Sequence, residues 1–148
     1  MVTRCLVFVV AGLMLYCLGS VVGQEKKGTD LDRIQGSWKM TKIEVEGKPP
    51  PPGYVEKGRF VFKGNEISVL QDDKTVEAGT FVLDSTRNPP TIDFVATEGA
   101  GKGNTQYGIY KIDGDSLTIC MGDKRPTEFK AQGTVGVIHF DRVKAKKK

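Results

Sequence analysis

From Gly36 to Arg142 the chain reads as short runs of apolar alternation, each ended within a few residues by glycine, proline, asparagine or aspartate. This punctuation constrains the fold most. A helix of ordinary length needs about ten or more residues of 3.6-residue periodicity, and no such stretch occurs here. Period-two alternation between closely spaced turn signals reads instead as strands joined by hairpins. Eight runs stand out, at 38–46, 59–63, 66–70, 75–83, 91–96, 105–112, 116–121 and 134–142. Gly64-Asn65 and Asp113-Gly114 are two-residue hairpin signals. Pro49-Pro50-Pro51-Pro52-Gly53 cannot lie in a central strand and reads as a stiff connection across one end of the fold. In the first run the parity slips between Met40 and Ile43, which a bulge near Thr41-Lys42 repairs. Gly79 marks a second kink or bulge. Residues 84–90, 98–104 and 122–132 read as loops.

The expected fold is all-β: a single antiparallel up-and-down barrel of about eight strands. Closing the sheet removes the edges that would otherwise template aggregation. A barrel of this size either fills with side chains or holds one small ligand. A short helical turn over 29–35 precedes it, capped by Thr29 or Asp30 and ended by Gly36. Leu31 and Ile34 share one side of that turn and are expected to plug an end of the barrel.

The N-terminus has the layout of a secretory signal. Arg4 supplies a positive charge, residues 5–18 (CLVFVVAGLMLYCL) are uncharged, and small or β-branched residues lead to Gly23 before the chain turns polar. The expected cut follows Val21-Val22-Gly23. The expected organisation is therefore a signal peptide at 1–23, a linker at 24–28, the barrel domain at 29–143 and a basic tail at 144–148, in an exported protein. An uncleaved anchor is the alternative, since residues 5–22 sit at the short edge of the roughly 17–25 residues that span a bilayer. It would be the only reason to expect a membrane partner. A lipid anchor on Cys17 would need a small residue before it, and Tyr16 is bulky. Cleavage removes Cys5 and Cys17 and leaves Cys120. The mature chain then has no internal disulfide and depends on its core.

The chain carries 22 basic and 18 acidic residues, a formal net charge of +4. Much of the excess lies in the terminal Lys144, Lys146, Lys147 and Lys148. In an exported protein this reads as a solvated, frayed end, and no nucleic-acid partner is expected.

Gly36-Ser37-Trp38, set directly after a helical turn and opening the first strand, resembles the Gly-x-Trp start of lipocalins. That resemblance implies a tryptophan closing one end of the barrel with a basic residue stacked over it, a role Arg142 matches. A longer ordered series covers nearly the whole mature chain. It runs from Leu31-x-x-Ile34-Gln35-Gly36-Ser37-Trp38 through Phe81-x-Leu83-Asp84 before Pro89, Ile92-Asp93 and Tyr110-x-Ile112-Asp113-Gly114-Asp115-x-Leu117 to Cys120 and Arg125-Pro126-Thr127-Glu128-Phe129. This series resembles a family of small lipocalin-like domains abundant in planctomycete bacteria. The resemblance implies the barrel and brings no activity, catalytic residue or ligand set. The chain is shorter than ordinary lipocalins and lacks a clear Thr-Asp-x-x-Tyr element and a long C-terminal helix, which argues against transport of a large ligand.

No catalytic constellation is visible. His139 is the sole histidine, within the last run, and general acid–base work needs a positioned partner. Cys120 faces away from Leu117, Ile119 and Met121 and reads as a small packing residue. The two together lack enough ligands for a metal. Asp113-Gly114-Asp115 lacks the downstream acids of a calcium loop. Neither a metal nor a cofactor is expected. Arg125 and Glu128 can face a ligand, or pair with each other while Phe129 caps the barrel; the structural role is favoured. The expected function is non-enzymatic binding of a small apolar or amphipathic molecule in the lumen, with the Pro49–Gly53 connection at the mouth. The alternative is a filled barrel acting through its surface as a protein-interaction or envelope module. Nothing in the sequence sets the oligomeric state or names the ligand.

Overall fold

The computed structural model describes residues 28–146. The expected signal peptide, most of the linker and the last two tail residues lie outside them. Among the described residues, no helix is long and apolar enough to cross a membrane.

Two short helices and eight strands follow in order: α1 (Asp30–Ile34), β1 (Gly36–Glu44), α2 (Tyr54–Lys57), β2 (Gly58–Lys63), β3 (Glu66–Gln71), β4 (Lys74–Asp84), β5 (Thr91–Gly99), β6 (Thr105–Asp113), β7 (Ser116–Gly122) and β8 (Gly136–Arg142). Each strand pairs antiparallel with the next, and β8 returns to pair with β1, closing an eight-stranded up-and-down barrel. The eight runs of alternation correspond to these strands.

Both expected bulges are present. The β1–β8 register shifts between Met40 and Lys42, so Trp38, Met40 and Ile43 all reach the interior cluster. The β4–β5 register shifts between Ala78 and Gly79. Such bulges supply the local bend a small barrel needs. One tight turn carries no glycine or asparagine. Asp72 and Asp73, between paired Gln71 and Lys74, both take positive φ (53° and 61°), a conformation short acidic side chains tolerate.

α1 is held by a capping box. The Thr29 hydroxyl accepts from the Asp32 amide, and the Thr29 amide donates to the Asp32 carboxylate at 3.0 Å. Of the two residues expected to plug the barrel, Ile34 is fully buried but Leu31 is 45% exposed. With only five residues, α1 turns one side chain inward and leaves the other on the rim.

The interior divides along the axis. Toward α1, Trp38, Phe62, Phe81, Tyr110 and Phe140 are buried and fill the lumen. Phe62 and Phe81 meet edge to face at 5.2 Å, and Phe60 and Phe140 lie 4.8 Å apart. A separate small core lies outside the wall. Cys120, Ile109 and Val137 are buried there against Ala131 and Val135 of the β7–β8 connection. That connection folds back over the outer face, which explains why β7 is apolar on both sides.

Candidate functional site

The α1 end is sealed. Gly36 takes φ +107°, a conformation an L side chain adopts only under strain, and this turns the chain so that Trp38 enters the lumen. The Trp38 indole donates to the Ile34 carbonyl at 2.7 Å and is fully buried. The Arg142 guanidinium stacks over the indole, 4.1 Å from its centroid. Arg142 also donates to the carbonyls of Gln35 (2.8 Å) and Arg33, and pairs with Asp115 at 3.3 Å. Beside it, the Tyr110 hydroxyl donates to Asp30 at 2.8 Å, and Arg33 donates to the Ile112 carbonyl at 3.0 Å. Burial, and then the Asp30 carboxylate, push the Tyr110 phenol well above its ordinary value of 10.0. The lumen at this end is filled by buried side chains.

The opposite end holds a pocket of about 160 Å³. Its walls include Met40, Phe60, Val69, Phe94, Met121 and Ile138, with Tyr54 of α2 across the mouth. Two strongly polar side chains, Glu77 and Gln106, also line it. The strand registers account for both. Glu77 lies opposite Val69, and Gln106 lies opposite Phe94, each sharing the inward face of its partner. From the β1–β2 connection, Tyr54 of α2 lines the pocket, and the proline run before it does not. The α2 end is tied to the β3–β4 turn by Asp72 donating to the Lys57 carbonyl at 3.2 Å.

Other recesses are less suited to a ligand. One of these, about 350 Å³, lies in the curl of residues 123–135 and is lined by Arg125, Pro126, Thr127 and Glu128. It is open to solvent and built by one loop bearing mixed charges. The lumen pocket is smaller, enclosed by strands and predominantly apolar, the usual character of a small-molecule site.

The predicted residues separate by location. Gly36, Trp38 and Arg142 come together at the sealed end. Asp113 and Gly114 also lie at that end, with Asp113 paired to Ser116 and the two turn residues being Gly114 and Asp115. The stretch from Arg125 to Phe129 departs from expectation. Arg125 does not pair with Glu128. It reaches Asp93 of β5 at 2.6 Å, donates to the Gly108 carbonyl at 3.0 Å and lies 5.5 Å from the Tyr107 ring centroid. The Asp93 contact is an ion pair too far off line to be a hydrogen bond. Phe129 does not cap the barrel. It is 38% exposed, on the outer surface beside Pro89, Pro90 and Tyr110. The β7–β8 connection runs along the outside of the wall, so its side chains cannot reach the lumen. The Glu128 backbone carbonyl instead faces Cys120 Sγ at 3.5 Å.

His139 lies on the outer face of β8, with Nε2 3.0 Å from Glu44 and Nδ1 3.4 Å from the Thr118 hydroxyl. Cys120 is fully buried outside the lumen, and burial raises its thiol pKa. Neither residue borders the pocket. Among the described residues, no three metal-ligating side chains gather.

Three pocket residues escape a reading for chemistry motifs: Tyr54, Glu77 and Gln106. A signal for two of them exists. Glu77 has the parity of Gly79, Phe81 and Leu83, and Gln106 that of Tyr110 and Ile112, so each is a polar residue in phase with a lumen face. Tyr54 follows the proline run and carries no periodic signal. The chain matches no protein-family model and no curated protein.

Proposed function

We propose that the protein is an exported, non-enzymatic barrel of lipocalin-like type that binds one small apolar or amphipathic molecule at the open end of its lumen. The enclosed apolar pocket carries this reading. Its size sets the ligand: an apolar cavity of roughly 150 Å³ accommodates benzene, so a pocket of about 160 Å³ takes a body of similar size and excludes a long acyl chain or a tetrapyrrole. The kinship with lipocalins is supported by the Gly36-x-Trp38 start and by Arg142 over the indole. Binding needs no chemistry at His139 or Cys120.

Native mass spectrometry of the protein recovered from its source tests this reading. A co-purifying molecule of low mass, lost in Val69→Phe, is the expected result. Val69 lines the pocket, and a phenyl group there occupies space that a ligand would use without crowding the sealed half. A clean apo mass, together with no response to added apolar probes, overturns the reading. It would favour action through the surface, where Val82 (70% exposed), Val95 and Tyr107 are exposed on β4–β6, with Asp93 between Val82 and Tyr107.

A further inference from the structure

We infer that the lumen ligand carries a protonated amine, which docks on Glu77 at the pocket rim. This rests on the lumen-binding reading and specifies its ligand class. Glu77 is the one charged side chain lining the pocket; no lysine, arginine or histidine lines it. Its partners directly across the sheet are Val69 and Gly99, so no cation stands directly opposite it on either flanking strand. The β5–β6 loop lies against the carboxylate. A Cβ on Gly101 would sit 2.5 Å from Glu77 Oε1 and 3.6 Å from the Ala96 methyl. Glycine at 101 therefore lets the backbone cover the carboxylate and reduce its contact with water. A carboxylate at an apolar wall, partly shielded and without a lining cation, favours a cationic donor. Charge-assisted hydrogen bonds are about twice as strong as neutral ones.

Gln106 adds an amide at the same pocket, able both to accept from an ammonium group and to donate to a neighbouring oxygen. A divalent metal is a poor alternative occupant, because one carboxylate and one amide fall short of the oxygen ligands that calcium or magnesium needs. An anionic head is disfavoured by repulsion from Glu77. The predicted class is thus a primary amine on a compact apolar body, such as an arylalkylamine.

The test uses methyl-labelled methionine NMR on protein recovered from an exporting host. Met40 and Met121 both line the pocket and report occupancy directly. Benzylamine, toluene and benzoate are titrated separately. These probes share the aromatic body and differ in the head. Benzylamine is expected to shift both methyl signals at concentrations about tenfold or more below those needed for toluene, with benzoate weakest. Glu77→Gln is expected to bring benzylamine to the toluene level. Equal affinity for benzylamine and toluene, tighter binding of benzoate, or an amine preference that survives Glu77→Gln overturns the amine assignment while leaving lumen binding intact. Failure of all three probes to move either methyl overturns lumen binding as well. The three-probe comparison on the unaltered protein decides the matter even if the variant folds poorly.

Discussion

Removing the Arg142 side chain should cost the barrel about 4–5 kcal/mol, and part of that loss should vanish when Trp38 is already changed. The guanidinium makes three kinds of contact. Stacking at 4.1 Å over a fully buried indole contributes about 1–2 kcal/mol. The two bonds to the carbonyls of Gln35 and Arg33 contribute roughly 1.5 kcal/mol each, the lower end for charged donors, because the side chain is partly hydrated. The Asp115 partner is more than half exposed, so that ion pair adds only a few tenths of a kcal/mol, or about zero. For a domain of this size the sum corresponds to a fall in Tm of about 10–20 °C for Arg142→Ala. Trp38→Phe removes the indole bond to Ile34 and part of the stacking surface. A double-mutant cycle should therefore give a coupling of about 0.5–1.5 kcal/mol. Urea unfolding followed by far-ultraviolet circular dichroism measures all four proteins without relying on the tryptophan being replaced. Arg142→Lys keeps the charge but loses the planar fork, and should restore less than half of the loss. Additivity within about 0.3 kcal/mol would refute the account, because it would mean that Arg142 and Trp38 act independently despite their contact.

Three further outcomes follow from the buried and paired groups. The Tyr110 phenol has its pKa raised in the folded state, so its contribution is intact below pH 10 and is lost as pH rises beyond, with a limiting slope of about 1.4 kcal/mol per pH unit; Tyr110→Phe should flatten the alkaline limb of the stability curve. Glu44 has its pKa lowered, first by Lys42 and then by His139, so its contribution is present above about pH 4.5 and is lost as pH falls through the lower folded value; Glu44→Gln should make the acid limb shallower in stability measured against pH. Cys120 is fully buried with a raised thiol pKa and should resist alkylating reagents in the native protein; labelling in native buffer at the rate of a free thiol would show that the 123–135 segment does not cover the wall.

The sequence was informative where local pattern and pairing agree. The parity slip at Met40–Ile43 pointed to the β1 bulge because one extra residue must be absorbed if Trp38 and Ile43 are both to face inward. Trp38 and Arg142 were legible through the Gly-x-Trp resemblance, which implies a basic residue near the end of the last strand stacked over the indole, as it is here. Arg125 was not readable in the same way. Its partner Asp93 lies 32 residues earlier on a strand brought near only by the barrel, whereas Glu128 was merely close in sequence. Phe129 misled because an aromatic residue in a loop has no parity to show which side of the wall it takes. The pocket depends on summed side-chain volumes in three dimensions, so alternation could not reveal whether the lumen was filled. Glu77 carried a signal in its parity, as an acid in phase with Gly79, Phe81 and Leu83, but a search for chemistry motifs passes over it because no second reactive group stands near it in sequence.

The β1–β8 pairing places the seam of the barrel between the first and last strands. Until residues 136–142 join it, strands one to seven form an open sheet whose two outer edges have unpaired amides and carbonyls. The sealing arginine arrives with the same seven residues, so edge protection and tryptophan burial are completed in one event. A chain shortened before Gly136 should consequently expose a sticky sheet rather than a slightly weaker barrel, and the timing of β8 governs when the protein becomes safe from self-association.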